Sequence, residues 1–317
     1  MRLLRPSKYV RVLDCLLKNR RAKDNIYPFY ASFKLTSRCH FACKFCNIRN
    51  DTRPDLATDR VKAVLDNLAR SSVLLVSFEG GEPLLRPDIG ELLAYARRKD
   101  FYLLFTTSER NLERYPMREY GRLIDFLHVS IDEGHNNLAL FDRLEEYKGY
   151  CRQLSVQVVI TSDTVNALES KAARCRAAGA NMVIMPAVQM NRTESFFPDL
   201  DRFEAEVERL KRKYPGIIYT PGGYFDALRQ GRCSSASVIV DSDGTLFYPC
   251  HIRETRGPDL AQADLMEYLP SPAAAELRNQ MRACDRRCGW FQYFSIGDFT
   301  SFRTAFRALR PAMSGLF

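Results

Sequence analysis

The chain has 317 residues, 46% hydrophobic and 27% charged, with a net charge of +9 and ten cysteines. It contains no run of eighteen apolar residues, and its opening MRLLRPSKYVRVLDCLLKNRR lacks the long apolar stretch and small-residue cleavage site of an export signal. A membrane span and a secreted disulfide scaffold are therefore not expected, and the default setting is a reducing cytoplasm in which clustered thiols bind metal or do chemistry.

The surplus charge sits at the two ends, with +7 in residues 1–23 and +4 in residues 286–317. The slightly acidic middle makes nucleic acid an unlikely partner. The first 28 residues form a basic amphipathic extension, with Tyr9, Val10, Leu13, Leu16 and Leu17 along one helical face and Lys8, Arg11, Lys18, Arg20 and Arg21 beside it. Such a stripe either packs on its own domain or lies in an anionic membrane surface.

From Phe29 to about Val188 short β-rich runs alternate with helical segments. The runs FYASFKLTSRC, VLLVSFEGGEP, FYLLFTTS, FLHVSID, VQVVITSD and NMVIMPAV are predicted strands. Between them, Asp59 to Arg70, Ile89 to Lys99 and Val165 to Ala178 repeat apolar residues every three or four positions. Strand alternating with helix predicts an α/β fold with a parallel sheet. Six units are too few for a closed eight-stranded barrel, so a partial (βα)6 barrel is expected, with its chemistry at the C-terminal strand ends. Cys39, Gly80, Thr107 and Asp132 all fall there. After Gln189 come a charged helix, Leu200 to Tyr214, and then SVIVDSDGTLFYPC, two short strands around the turn Asp241 to Gly244. The predicted layout is a 1–28 extension, a 29–190 core, a 191–228 linker with a bridging helix, and a small α+β domain over 229–317.

Three thiols, Cys39, Cys43 and Cys46, fall within eight residues. Soft thiolates suit iron–sulfur clusters, and three of them leave one iron of a cubane without a protein ligand. An open metal position is where a substrate or cofactor binds. Zinc completed by His40 is the alternative, although His40 adjoins Cys39 and reaches back awkwardly. One strand later stands GGEP, Gly80 to Pro83, whose glycines let backbone approach a ligand and whose Glu82 offers an acceptor for an ammonium group. Cys15, Cys151 and Cys175 stand alone in helical-looking stretches, where a free thiol is a small buried hydrophobe.

The spacing C-x3-C-x-φ-C, here Cys39, Cys43, Phe45 and Cys46, followed by GGEP, resembles the radical S-adenosylmethionine (radical SAM) superfamily over roughly residues 29–190. The resemblance implies a 4Fe-4S cluster on the three cysteines, with S-adenosylmethionine on the fourth iron. Reduction by a donor such as flavodoxin or ferredoxin then releases a 5′-deoxyadenosyl radical that takes hydrogen from an unactivated C–H bond. Carried over by position, Phe45 lies against the adenine, and Gly80, Gly81, Glu82 and Pro83 take the methionine end. Ser130 and Asp132 match a strand that often contacts the ribose or carboxylate, with an ordinary strand end as the alternative. Thr106 to Ser108 replaces the Thr-Asn-Gly of many relatives.

Cys233, Cys250, Cys284 and Cys288 resemble the twitch form of the SPASM auxiliary domain, which implies a second, fully ligated 4Fe-4S cluster suited to electron transfer. The closing pair is spaced by three residues where relatives often have two, and a structural zinc stays open. Arg286 and Arg287 lie between these last ligands.

A second basic stripe, Phe299, Phe302, Phe306 and Leu309 with Arg303, Arg307 and Arg310, joins the first in pointing to a lipid or isoprenoid substrate and a peripheral place on the inner membrane face. Peptide modification and small-molecule dehydrogenation are the rivals, the former weighed against a 28-residue extension too short for the usual peptide-recognition domain. An iron–sulfur carrier or a zinc-stabilised binding module would not need GGEP, and cobalamin chemistry lacks its D-x-H-x-x-G segment. Oxidation, C–C bond formation and cyclisation all stay open, no catalytic acid or second radical residue stands out, and Tyr147, Tyr224 and Tyr248 are expected to be packing residues.

Overall fold

In the computed structural model, residues 2–188, 196–284 and 288–295 are described. Helix α1 (Pro6–Ala22) starts on a proline, whose missing N–H costs nothing in a first turn, and stops at Lys23 in the left-handed conformation. Six parallel strands follow: β1 (Tyr30–Thr36), β2 (Leu75–Gly80), β3 (Tyr102–Thr107), β4 (Phe126–Ser130), β5 (Leu154–Ile160) and β6 (Asn181–Pro186). The crossovers carry α2 (Thr58–Arg70), α3 (Ile89–Arg97), α4 (Met117–Leu123), α5 (Leu144–Lys148) and α6 (Leu168–Ala178).

Strand alternation explains the layering. In β5, Leu154, Val156, Val158 and Ile160 are buried, while Ser155, Gln157 and Val159 between them are only partly so. In β1 to β3 the in-register Phe33, Phe78 and Phe105 join Val61, Leu65 and Leu92 of α2 and α3 in one core. Lys34, Glu79 and Gln157, at the alternate positions of their strands, line a cleft.

Beyond β6, α7 (Leu200–Lys213) is capped by Asp199, which accepts from the Arg202 N–H, and α8 (Gly223–Arg229) follows. Strand β7 (Ser237–Val240) pairs in parallel with β1, and β8 (Thr245–Phe247) and β9 (Arg256–Asp259) add antiparallel. The result is one nine-stranded sheet in the order β6-β5-β4-β3-β2-β1-β7-β8-β9. The predicted turn over Asp241 to Gly244 joins β7 to β8. Helices α9 (Leu265–Tyr268), α10 (Pro272–Arg282) and α11 (Phe291–Ser295) complete the C-terminal part. The sheet is mostly parallel and not closed, as expected of a partial barrel, and the strands of the predicted C-terminal part continue it.

Cys15 and Cys175 are buried in α1 and α6 as anticipated. Cys151 differs: it lies half-buried in the loop between α5 and β5, because α5 already ends at Lys148. Tyr147, Tyr224 and Tyr248 are all fully buried, as packing residues are. No helix among the described residues is long and apolar enough to cross a membrane. The stripe Phe299 to Leu309 and the pair Arg286 and Arg287 lie outside the described residues.

Candidate active site

The cysteine loop begins where β1 stops. It is stitched to the glycine turn after β2 by two backbone hydrogen bonds, from the Gly81 N–H to the Thr36 carbonyl (2.8 Å) and from the Glu82 N–H to the Arg38 carbonyl (2.9 Å). Gly80 has φ +135°, and a Cβ on Gly81 would sit 2.1 Å from the Arg38 carbonyl oxygen, so both positions need glycine. The buried Arg86 guanidinium fastens the same region, donating to the carbonyls of Leu35 (2.9 Å) and Leu56 (3.0 Å) and pairing with Asp88.

This stitching puts Cys39, Cys43 and Cys46 on the rim of a cleft of about 270 Å³ at the C-terminal strand ends, together with Phe45, Gly80, Gly81 and Ser130. All three thiols are free. Among the described residues no three His, Cys, Asp or Glu side chains converge on a point that would hold a single ion; a four-iron cluster holds its cysteines wider apart than a lone ion does. His40 turns toward Glu109, Nε2 to Oε2 3.4 Å. The donor set therefore fits the cluster better than a zinc completed by His40. Burial pushes the metal-free Cys39 thiol up to about 11 and raises Cys46 as well.

The other predicted residues divide. Phe45 packs edge-on against His135 and fills the space over Gly134. Glu82 is buried and its oxygens are already engaged: Oε1 accepts from the Thr107 hydroxyl (2.8 Å) and the Leu84 N–H (3.2 Å), and Oε2 from the Ser108 N–H (2.9 Å). Burial pushes its pKa up to about 7, against those hydrogen bonds. Pro83, buried beside it, opens a short 3-10 turn. Asp132 is fully buried and accepts from the His135 ring Nδ1 (2.8 Å), the His135 N–H (3.0 Å) and the Val159 N–H (3.0 Å). Glu82 and Asp132 are thus behind the cleft surface, whereas Thr106, Thr107 and Ser108 are on it.

Several cleft residues escaped sequence reasoning. His135 lies three residues beyond Asp132; burial opposes its charge, but Asp132 and the Cys43 thiol outweigh that and push its pKa up to about 10. The spacing in SIDEGH was the available signal. Lys34 and Glu79 occupy the polar, inward positions of β1 and β2. The Lys34 ammonium donates to His251 Nε2 (2.9 Å), lies 4.0 Å from Asp241, and sits over the Phe247 ring. Burial lowers its pKa. Glu79 has the Ser77 hydroxyl at 3.5 Å, and burial pushes its pKa up to about 7. Trp290, Phe291 and Gln292 close one side of the cleft, so the segment after Cys288 walls the front site. No local pattern announced that.

Cys233, Cys250, Cys284 and Cys288 lie after α8, β8 and α10 and before α11, near enough that Cys250, Cys284 and Cys288 add to burial in raising the Cys233 pKa. Burial is the larger cause, pushing Cys233 up to about 12 and Cys288 to about 11. Tyr224 donates to the Gly289 carbonyl (2.8 Å), and the Tyr293 hydroxyl accepts from the His251 N–H (2.8 Å), tying this group to the core.

Residues 33–186, which include the cysteine loop and GGEP, match the sequence profile of the radical SAM superfamily. That stretch is a radical SAM domain. It is 27% identical to the PqqA peptide cyclase of Gluconobacter oxydans, over 74% of this chain and 73% of that protein. It is 26% identical to the PqqA peptide cyclase of Rhodopseudomonas palustris, over 84% and 78%. Among solved structures, Streptococcus suis SuiB bound to its precursor peptide SuiA aligns with a TM-score of 0.64 at 14% identity, covering 84% of this chain and 70% of that one. The structure of anSMEcpe with bound AdoMet and a peptide, Cp18Cys, aligns at 0.62 and 14%, covering 91% and 98%. These two show the fold. As a radical SAM enzyme the protein uses a 4Fe-4S cluster and S-adenosylmethionine.

Proposed function

We propose that this radical SAM enzyme modifies a peptide, removing a hydrogen atom from a C–H bond of one residue held in the cleft. The observation that carries the reading is similarity to two PqqA peptide cyclases along 74% and 84% of the chain. The cleft is compatible with it: Phe41, Val159, Met185 and Phe291 give it apolar walls on which a side chain can pack.

In this proposal Cys39, Cys43 and Cys46 hold the front cluster, which with S-adenosylmethionine supplies a 5′-deoxyadenosyl radical. Phe45 faces the adenine, and Gly80, Gly81 and Ser130 line the rest of the cofactor's place. Glu82 and Pro83 fix the glycine turn from behind, and Asp132 orients His135 over the cleft mouth. Cys233, Cys250, Cys284 and Cys288 hold an auxiliary 4Fe-4S cluster, closed to substrate by its four protein ligands. Flavodoxin or ferredoxin is the class of reductant required. The lipid substrate expected from the basic ends has no counterpart among the activities named for the relatives above, and the peptide takes its place; the basic α1 is assigned to a surface instead, as argued below.

The test is anaerobic incubation of the reconstituted protein with reductant, S-adenosylmethionine and a peptide pool. Peptide-stimulated formation of 5′-deoxyadenosine, with a peptide product that has lost hydrogen, supports the proposal. Cofactor cleavage stimulated by a lipid extract and by no peptide would end it.

A further inference from the structure

Helix α1 is docked with its apolar side outward. Its buried residues are Lys8, Cys15 and Asn19, and polar atoms make the attachment: the Lys8 ammonium donates to the carbonyls of Ser71 (2.8 Å) and Ala69 (3.1 Å), and Asn19 makes paired hydrogen bonds with the Tyr27 backbone (both 2.9 Å). At about 100° per residue, Val10, Leu13 and Leu17 point almost directly away from that buried set. They are 67%, 43% and 38% exposed, and Leu3 just ahead of the helix is 90% exposed. Of the six exposed large hydrophobic side chains among the described residues, five fall between residues 3 and 17. Exposed Arg5, Arg11, Lys18, Arg20 and Arg21 surround the stripe.

A second feature lies beside the first turns of α1. A pocket of about 350 Å³ is lined by Arg5, Lys8, Arg11, Arg70, Arg98 and Lys99, against only Asp66 and Asp100. Lys99 is paired with Asp66 and Arg5 with Asp100. Arg11, Arg70 and Arg98 have no carboxylate partner among the described residues, so the pocket keeps a positive charge.

We infer that α1 lays its outward stripe on an anionic phospholipid surface, with the basic pocket beside its first turns adding to the positive potential that draws it there. An apolar stripe flanked by cations is the arrangement by which a helix lies in a bilayer interface. Charge selects among occupants: a second copy of α1, or the C-terminal stripe with its three arginines in the sequence, would bring like charges together, whereas an anionic lipid surface neutralises them. This inference does not rest on the peptide reading, since turnover in solution and attachment to vesicles are separate measurements.

The test is vesicle flotation of the full, anaerobically reconstituted chain, with phosphatidylcholine alone and with about one-third phosphatidylglycerol added. The protein is expected to float with the anionic vesicles only, and to be released when salt is raised from about 0.1 M to about 1 M, where screening lengths fall from about 10 to about 3 Å. Two variants are compared, Val10→Asp/Leu13→Asp/Leu17→Asp and Arg70→Glu/Arg98→Glu. Each alters exposed side chains, is checked for an unchanged denaturation midpoint, and is expected to lower the bound fraction at least tenfold. Wild-type protein that stays in solution with anionic vesicles at low salt overturns the inference. So does a stripe variant that floats like the wild type, or a dimer that the stripe variant abolishes in the absence of any flotation.

Discussion

Replacing Gly81 by alanine tests the joint between the cysteine loop and the glycine turn. The added Cβ would lie 2.1 Å from the Arg38 carbonyl oxygen, 2.7 Å from its carbon and 2.9 Å from the Ser37 oxygen. Side-chain carbons essentially never come within 3.0 Å of such atoms, so the Arg38 carbonyl must retreat by about 0.9 Å. That displacement stretches the hydrogen bond it accepts from the Glu82 N–H, now 2.9 Å, beyond the usual range. It also strains the neighbouring bond from the Gly81 N–H to Thr36 at 2.8 Å. Leaving buried groups unpaired costs about 1–3 kcal/mol each, so a loss of roughly 2–4 kcal/mol is expected, concentrated where Cys39 follows Arg38. The assay is a denaturant titration beside iron analysis and S-adenosylmethionine cleavage on anaerobically reconstituted protein. The variant should retain the rear group's iron, lose most of the front iron and cleave little cofactor. A Gly81→Ala protein with wild-type midpoint, iron content and cleavage would refute the claim that loop and turn form one rigid unit.

The two cysteine groups should be separable: Cys39→Ala and Cys250→Ala are each expected to remove one cluster's worth of iron, and only the first should abolish the spectral change on adding S-adenosylmethionine. Two partly buried groups should bend the pH–stability curve in opposite senses. Burial holds His128 at about 4 against its usual 6.5, so the unfolded chain binds the extra proton between those values, and stability falls by up to about 3 kcal/mol as pH drops through that window. Glu79, held at about 7 against 4.5, binds its proton more tightly when folded and removes up to about 3 kcal/mol as pH rises from 4.5 to 7. Chemical denaturation from pH 4 to 8 should show His128→Gln flattening the acid limb and Glu79→Gln raising stability at pH 8; parallel curves for wild type and variants would contradict both assignments. Arg86→Met should destabilise by about 3 kcal/mol, because it takes the guanidinium from the partly buried Asp88, which keeps the Thr58 hydroxyl, and from two carbonyls; a thermal midpoint within a degree or two of wild type would contradict that.

Much of the site was legible because its parts are local. The cysteine spacing, the aromatic Phe45 and the glycines of GGEP each act within one loop or turn, where chain connectivity fixes what is near what. Glu82 shows the limit. Its position was evident, but its saturation by Thr107, Ser108 and Leu84 depended on how β3 sits beside β2. The amphipathic pattern of α1 likewise named the right residues without saying which side would dock, because hydrogen bonds from Lys8 and Asn19 to backbone atoms, and not apolar area, hold the helix down.

By itself the sequence determined the alternation of strand and helix, the two cysteine groups, and the placement of chemistry at the C-terminal strand ends, all written in periodicities of a few residues. Tertiary structure decided that β7 pairs with β1 some two hundred residues earlier in the chain, that Lys34 meets His251, and that Trp290, Phe291 and Gln292 wall the front cleft. Those meetings come from burying one shared core, and the free energy of that burial depends on the whole set of apolar faces, so no stretch of sequence carries it alone.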